Sequence, residues 1–460
     1  MITELTHSDA VARRFRTLGG LPSAVWLDSA AAGPADRFDI LVADPYVTLR
    51  TRGAETEIAT RDGVTRSSRP PLELVREQLG EVVEGPAELP FAGGAVGYFG
   101  YDLGRRLERI PEIAAADIDM PDLVVGIYDW AVVVDHEARR TWLVGGARDA
   151  RTRREWPLLV TRLGSALPPD PPPFRVLEGP VSNLTRAAYA EAFGRVKEHI
   201  RRGDCYQVNL TQRFAARAQG DAWHAYLKLR EINPAPFAAY LDLPDGKIVC
   251  SSPERFLRVT GGHVETKPIK GTRPRSTDPK RDRALAEELR TSAKDRAENV
   301  MIVDLLRNDI GKVCAAGTVR ASKLFDVESF ASVHQLVSTV EGRLAPDKHA
   351  LDLLGACFPG GSITGAPKIR AMEIIEALEP VRRHAYTGAI GYVSWEGDAD
   401  WNVAIRTATV TPGGLVFHAG GGITADSDPD AEYRETLDKA EGLWLAFSSI
   451  LGDFTLGETS

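Results

Sequence analysis

GDCYQVNLTQRF, residues 203–214, is the stretch in which helical spacing gives way to strand spacing. Upstream of it Thr185 is placed to cap a helix running to about residue 202. Tyr189, Phe193, Val196 and Ile200 are spaced for one apolar face of that helix, and Gly203 stands just past its end. From Tyr206 the period becomes two: Tyr206, Val208 and Leu210 point one way, and Gln207, Asn209, Thr211 and Arg213 point the other. A polar strand face either meets solvent, the commoner case, or lines a cavity. The alternation alone leaves both open.

Working outward, residues 280–312 read as one long helical stretch whose buried stripe is Ile302, Leu305 and Leu306, with Glu298 one turn earlier on the same side. A further helix over residues 430–447 carries Glu432, Glu435 and Lys439 at i, i+3 and i+7, hence on one face. In the other direction, DILVADPYVTLR, AVGYFGYD and LVVGIYDWAVVVDH are β-like runs separated by Gly and Pro. Between the two regions lies LPPDPPPF, residues 167–174, where prolines exclude helix and disfavour a central strand. The expected organisation is an N-terminal region over 1–166, a crossing segment over 167–180 and a catalytic region over 181–455.

At 460 residues, 43% hydrophobic and 26% charged, the chain is long enough for a large core and ordinary for a globular protein. A net charge of -8 speaks against a general nucleic-acid surface, which leans on clustered Lys and Arg. The start lacks the apolar stretch of a signal peptide and no run of about eighteen apolar residues occurs, so no membrane association is expected and the cytoplasm is the expected compartment. Cys205, Cys250, Cys314 and Cys357 are scattered singly, without zinc-site or redox spacing, and read as buried reduced thiols.

Two glycine-rich turns lead into helices. FPGGSITGAPKIRAMEIIEALE, residues 358–379, places Pro367 as a first helical residue and leaves backbone N–H groups behind Thr364 and Gly365, a terminus that favours a carboxylate or phosphate. FHAGGGITADSDPDAEYRETLDKAE, residues 417–441, has neither the P-loop ending nor the dinucleotide spacing; alone it reads as a tight turn. Lys270, in ETKPIKGTRPR, falls on a strand end or turn. It is a solvated lysine unless desolvation or nearby positive charge makes it a nucleophile. Glu254, in SSPERFL, is a surface acid by default and a general acid if buried. Glu298 and Glu435 suit a hard divalent ion, although spacing does not show that they converge.

In this order, GDCYQVNLTQRF, NPAPFAAYL, SSPERFL, PIKGTRPR, KDRAENVMIVDLLRNDIG, FPGGSITGAPKIRAMEIIEALEP, GAIGYVSW, IRTATV and AGGGITADSDPDAEYRETLDKA resemble the chorismate-utilising enzymes, the family of anthranilate synthase, aminodeoxychorismate synthase and isochorismate synthase large subunits. The match is dense over residues 183–445. WLDSAAAGPADRFDILVADP resembles the start of an aminating subunit. The resemblance implies an α+β fold of two large antiparallel sheets packed face to face and flanked by helices, with both halves of the chain contributing.

It also implies chemistry. Family members that add water have a lysine where this chain has Gln207, so Gln207 points to ammonia as nucleophile; anthranilate-forming members have alanine where this chain has Lys270, and lysine there resembles the aminodeoxychorismate-forming branch. By that resemblance Lys270 attacks C2 of chorismate as the C4 hydroxyl leaves with help from Glu254, and ammonia then enters at C4 and displaces the lysine. Glu298 and Glu435 would bind Mg2+. Gln207, Thr364, Gly365, Tyr392, Arg406, Gly420, Gly421 and Lys439 match substrate-binding positions. Ser29, Arg37, Phe38, Pro236 and Phe237 fall where related subunits bind tryptophan, although Ala35 and Asp36 depart from the pattern; a plain apolar pocket is the alternative. Gln335 stands where many members have histidine, and its neighbour His334 would face the opposite side of a strand.

No cysteine sits in a glutaminase-like elbow, so ammonia is expected from a separate glutamine amidotransferase chain, with the product serving 4-aminobenzoate and folate synthesis. The competing readings are an anthranilate-forming member of the same family and a non-catalytic scaffold that binds chorismate-like acids or a glutaminase.

Overall fold

The computed structural model describes residues 1–29, 37–86, 88–330 and 333–448. Ala35 and Asp36 therefore lie outside the described residues. Within them, two 12-stranded antiparallel sheets pack face to face. The first runs from the edge strand Ile2–Leu5 through Arg140–Gly145, Trp130–Asp135, Phe38–Val42, Ala24–Asp28, Phe237–Leu243, Gly246–Ser252, Thr407–Thr411, Gly414–Ile423 and Gln207–Gln219 to Arg175–Ser182. The second runs from Ile269–Pro274 through Val333–Arg343, His263–Thr266, Arg255–Thr260, Ala399–Val403, Ala389–Ser394, Gly94–Phe99, Leu123–Tyr128, Val47–Arg52 and Glu55–Thr60 to Gly63–Ser67. Each sheet draws strands from both sides of the proline-rich segment. That segment has neither helix nor strand over residues 167–174 and then becomes the strand Arg175–Ser182.

Alternation along the strands builds the layers. Val25, Ile40, Val42, Val133, Leu241 and Ile248 of the first sheet meet Val96, Tyr98, Val124, Tyr128 and Ile390 of the second in one buried layer. Their sequence neighbours Trp26, Leu41 and Val132 turn outward beneath the helices Ala222–Ile232 and Pro429–Ser448, as a period of two requires. All four cysteines are buried and unpaired.

The helix upstream of the strand switch is Arg186–Arg202. Thr185 accepts its capping bond from the Ala188 N–H, and Gly203 closes it in the left-handed conformation (φ 78°). The strand that follows is Gln207–Gln219; Tyr206 lies outside it and is 72% exposed. Most of its polar face does not meet solvent: Gln207, Asn209 and Thr211 are buried, and Arg213 is part-buried and paired with Asp117. Distant partners make that burial tolerable. Glu379 accepts from the Thr211 N–H and hydroxyl (both 2.9 Å) and is paired at 2.6 Å with buried Arg383, which also donates to the Asn209 carbonyl.

Three local expectations need correction. The helical stretch over 280–312 is two helices, Pro279–Thr291 and Ala293–Gly311. Ser292 leaves the helical region (ψ 112°) to cap the second through the Asp295 N–H. Pro367 is the residue before the helix Lys368–Leu378, not its first residue, and Gly365–Ala366 is a short strand paired to Gln207 and Val208. Gly420, Gly421 and Gly422 form no turn; they belong to the strand Gly414–Ile423.

Candidate active site

Lys270 sits second in the strand Ile269–Pro274, part-buried, and its ammonium donates to the Ser362 carbonyl at 3.3 Å. The Ser362 hydroxyl in turn bonds the Glu254 carboxyl. One residue thus touches both groups. Glu254, 7% exposed at the end of Gly246–Ser252, has its pKa raised by burial, against the pull of the Lys270 charge. Burial lowers Lys270, against the pull of Glu254 and Glu298 and with help from the Lys439 charge. Both displacements move the pair toward its neutral form.

Three carboxylates face this pair. Glu298, from Ala293–Gly311, is raised by burial and by Asp295 and Glu432, while Lys270 and Lys294 oppose the shift. Glu432 and Glu435, from Pro429–Ser448, share a face with Lys439 as their spacing dictates. Glu432 is 6% exposed and raised by burial and by Glu435, although the Ser427 hydroxyl donates to it at 2.7 Å. At Glu435 burial is outweighed by Lys439, 2.6 Å away, and the carboxyl is lowered. Gly421 is what lets the two approach the strand: a Cβ there would stand 2.9 Å from a Glu432 oxygen and 3.5 Å from one of Glu435. Sequence reasoning placed Glu432 on this face but left it out of the metal pair. Glu432 is buried, Glu298 part-buried and Glu435 half exposed, and such carboxylates are the donors a hard divalent cation takes alongside water and substrate oxygens. Among the described residues no group of three or more His, Cys, Asp or Glu side chains is placed to hold a metal ion, so an ion here would draw on water and substrate oxygens as well.

Gln207 is fully buried and neither amide atom has a hydrogen-bond partner. It stands against Gly422, where a Cβ would come within 2.5 Å of Nε2. An unmatched buried amide costs about 1–3 kcal/mol per group, so this position fits a small polar ligand. Gly365 (φ 143°) lies so close to the Gln207 carbonyl that a Cβ would meet it at 2.1 Å, and Thr364 is buried beside it. Lys439 donates to the Gly420 carbonyl at 2.8 Å. Arg406, held at φ 52°, donates to the Lys439 carbonyl at 2.7 Å and has its pKa lowered by burial. A non-glycine residue in that backbone region stores strain of a kind that clusters at functional sites.

Tyr392 does not join this cluster. It lines a separate cleft of about 280 Å³ together with Ser29, Arg37, Phe38, Pro236 and Phe237. The structure thus brings those five residues together, and Tyr392 belongs with them. The tyrosine near Arg406 is instead Tyr386, whose ring stacks on His418 and whose phenol, raised by burial, feels the charges of Arg383 and, more weakly, Arg406. Arg255 lies over the Phe237 ring in this second cleft, so neighbouring residues 254 and 255 serve different clefts. His334 is taken up by Ser329 (2.7 Å) and Asp282 (3.1 Å), and Gln335 follows it on the strand Val333–Arg343.

This arrangement of two antiparallel sheets is shared with a solved anthranilate synthase component I from Streptococcus pneumoniae, which superposes with TM-score 0.80 at 33% identity, covering 90% of this chain and 93% of that one. The family model for chorismate binding enzyme matches residues 23–444. The chain belongs to this enzyme family. It is 50% identical over 443 residues to aminodeoxychorismate synthase component 1 of Salmonella typhimurium, covering 95% of this chain and 96% of the relative. Against anthranilate synthase component 1 of Thermus thermophilus it is 41% identical over 427 residues, covering 92% and 91%. No helix among the described residues is long and apolar enough to cross a membrane.

Proposed function

We propose that this chain aminates chorismate at C4 to give 4-amino-4-deoxychorismate, with ammonia supplied by a separate glutamine amidotransferase and with Mg2+ as cofactor. The observation that carries the reading is Lys270, a lysine displaced toward its neutral form beside a carboxyl displaced toward its protonated one. The 50% identical relative, named as component 1 of aminodeoxychorismate synthase, supports both the substrate and the need for a second chain.

In this reading neutral Lys270 forms a bond from Nζ to C2, the ring double bonds shift, and the C4–O bond breaks. Glu254 gives its proton to the departing hydroxyl, which leaves as water, and recovers a proton from the alkylated amine. Ammonia then bonds to C4, the double bonds shift back and the C2–N bond to Lys270 breaks; Glu254 gives its proton to the departing amine and takes one from the new C4 ammonium, which restores both groups. Gln207, buried and unmatched, accepts from the incoming ammonia and has no basicity with which to activate water. Arg406 and Lys439 recognise carboxylates, and Thr364, Gly365, Gly420 and Gly421 allow close backbone approach. Glu298, Glu435 and Glu432 would hold the magnesium ion, which when bound offsets the charge of the ring carboxylate. The product feeds 4-aminobenzoate and folate synthesis in the cytoplasm. The second cleft holds tryptophan or a similar amino acid.

The test is direct. Purified protein, chorismate, magnesium and ammonium are incubated, a separate aminodeoxychorismate lyase is added, and products are resolved by chromatography. Lyase-dependent 4-aminobenzoate supports the proposal. Lyase-independent anthranilate would transfer the chain to the C2-aminating branch, and no product with or without the glutaminase would favour a scaffold.

A further inference from the structure

We infer that Lys197 is a positioning residue for the carboxylate cluster, acting through the loop of residues 424–427; the inference rests on the metal reading above. Lys197 lies on the helix Arg186–Arg202, outside every motif that names a catalytic group. Its ammonium donates to the carbonyls of Thr424 (3.2 Å), Ala425 and Ser427 (3.1 Å). An ammonium has three donors, and this loop takes them all.

The loop is a closed unit. The Ser427 N–H donates to the Thr424 carbonyl (3.3 Å), and the Thr424 N–H donates to the Ser427 hydroxyl oxygen (3.1 Å). That hydroxyl spends its own proton on Glu432 Oε1 at 2.7 Å, which leaves Oε2 as the oxygen lying over Gly421. Ser427 is 8% exposed, so water has little room to replace a lost bond. The path from Lys197 to the cleft is therefore short: ammonium, three carbonyls, one hydroxyl, one carboxylate. Charge-assisted bonds are the strong members of such a chain. With the ammonium gone, the Ala425 and Ser427 carbonyls lose their ammonium donor and the Thr424 carbonyl keeps only the Ser427 N–H, so the turn loosens and Glu432 loses the bond that fixes its rotamer.

The experiment compares wild-type protein with Lys197→Met, Lys197→Arg, Ser427→Ala and the Lys197→Met/Ser427→Ala double variant. The readouts are Mn2+ binding by electron paramagnetic resonance without substrate, KM and kcat at saturating magnesium, and hydrogen exchange over residues 424–432. Lys197→Met is expected to weaken Mn2+ binding roughly 10-fold, the lower range seen when a ligand's supporting bond is removed. It should raise KM for chorismate more than it lowers kcat and speed exchange in the loop alone. Ser427→Ala should match it, the double variant should add little further loss because both act on one chain of bonds, and Lys197→Arg should restore most of the affinity.

Unchanged Mn2+ affinity and KM in a folded Lys197→Met protein would overturn the inference, as would additive losses in the double variant. If wild-type protein binds no Mn2+, the metal reading fails instead. The inference is then decided by KM and loop exchange, where unaltered values in Lys197→Met refute it and matched changes in Lys197→Met and Ser427→Ala uphold it.

Discussion

Gly421 lies directly beneath the Glu432 carboxylate, close enough that a methyl group on its Cα would stand 2.9 Å from Oε2. The obstructed atom is the free end of a flexible side chain, so folding suffers little from a Cβ there. The carboxylate must nevertheless swing away. Gly421→Ala is therefore expected to keep a near-normal thermal midpoint while raising the magnesium concentration for half-maximal rate roughly 10-fold. A magnesium titration of the rate beside a thermal melt checks this; unchanged half-saturation would mean that Glu432 does not hold the ion.

Acid and base limbs of the rate should report Lys270 and Glu254. The productive state has a neutral amine and a protonated carboxyl. The rate is lost at low pH as Lys270 takes up a proton and at high pH as Glu254 ionises. Glu254→Gln should abolish the high-pH limb and lower kcat by on the order of 10²–10⁴. In Lys270→Met the carboxyl loses the neighbouring charge that opposes its shift, so it should titrate higher still. A pH–rate profile tests the first claim, and carboxyl infrared difference spectra of Lys270→Met test the second.

How much of this was legible beforehand follows from how far each cause lies along the chain. The helix Arg186–Arg202 and the strand after it were readable because Thr185, Gly203 and the apolar spacing act within a few residues. Glu298, Glu435, Lys439 and Lys270 were legible as members of motifs, and their convergence needed the fold. The break at Ser292 carried no glycine or proline to announce it. Gly420–Gly422 looked like a turn because the reason for their missing side chains, the Gln207 amide and the Glu432 carboxylate, sits on other elements. The buried polar face of Gln207–Gln219 depends on Glu379 and Arg383, more than 160 residues away. The motifs pointed to Tyr392, and only packing shows that it lines the second cleft while Tyr386 stands near Arg406.

Asp28 gives stability a pH dependence of its own. Its carboxyl is pushed up to about 7 by burial and then by Asp39, with Arg230 and Tyr226 holding it down. The folded state thus binds a proton more tightly than the unfolded chain. That contribution is fully present below the unfolded carboxyl range near 4 and is lost as pH rises through about 7. Asp28→Asn removes the titrating group, so its thermal midpoint relative to wild type should improve steadily between pH 4 and about 8. Parallel melting curves for the two proteins across that range would refute the assignment.

Lys270 decides between amination at C4 and at C2, because an enzyme that adds ammonia in a single displacement places nitrogen on C2. A first attack by Lys270 occupies C2 and sends the second nucleophile to C4. Lys270→Ala should therefore lose 4-aminobenzoate in the lyase-coupled assay, with anthranilate as the product to seek in its place. Lys270→Arg should not rescue it: a guanidinium stays protonated and is no nucleophile. Trapping adds a readout independent of turnover, since wild-type protein incubated with chorismate and magnesium but no ammonia should gain the mass of the dehydrated substrate on the peptide containing Lys270. Wild-type 4-aminobenzoate output from Lys270→Ala would remove the lysine from the reaction and leave its lowered pKa as a consequence of burial among Glu254, Glu298 and Lys439.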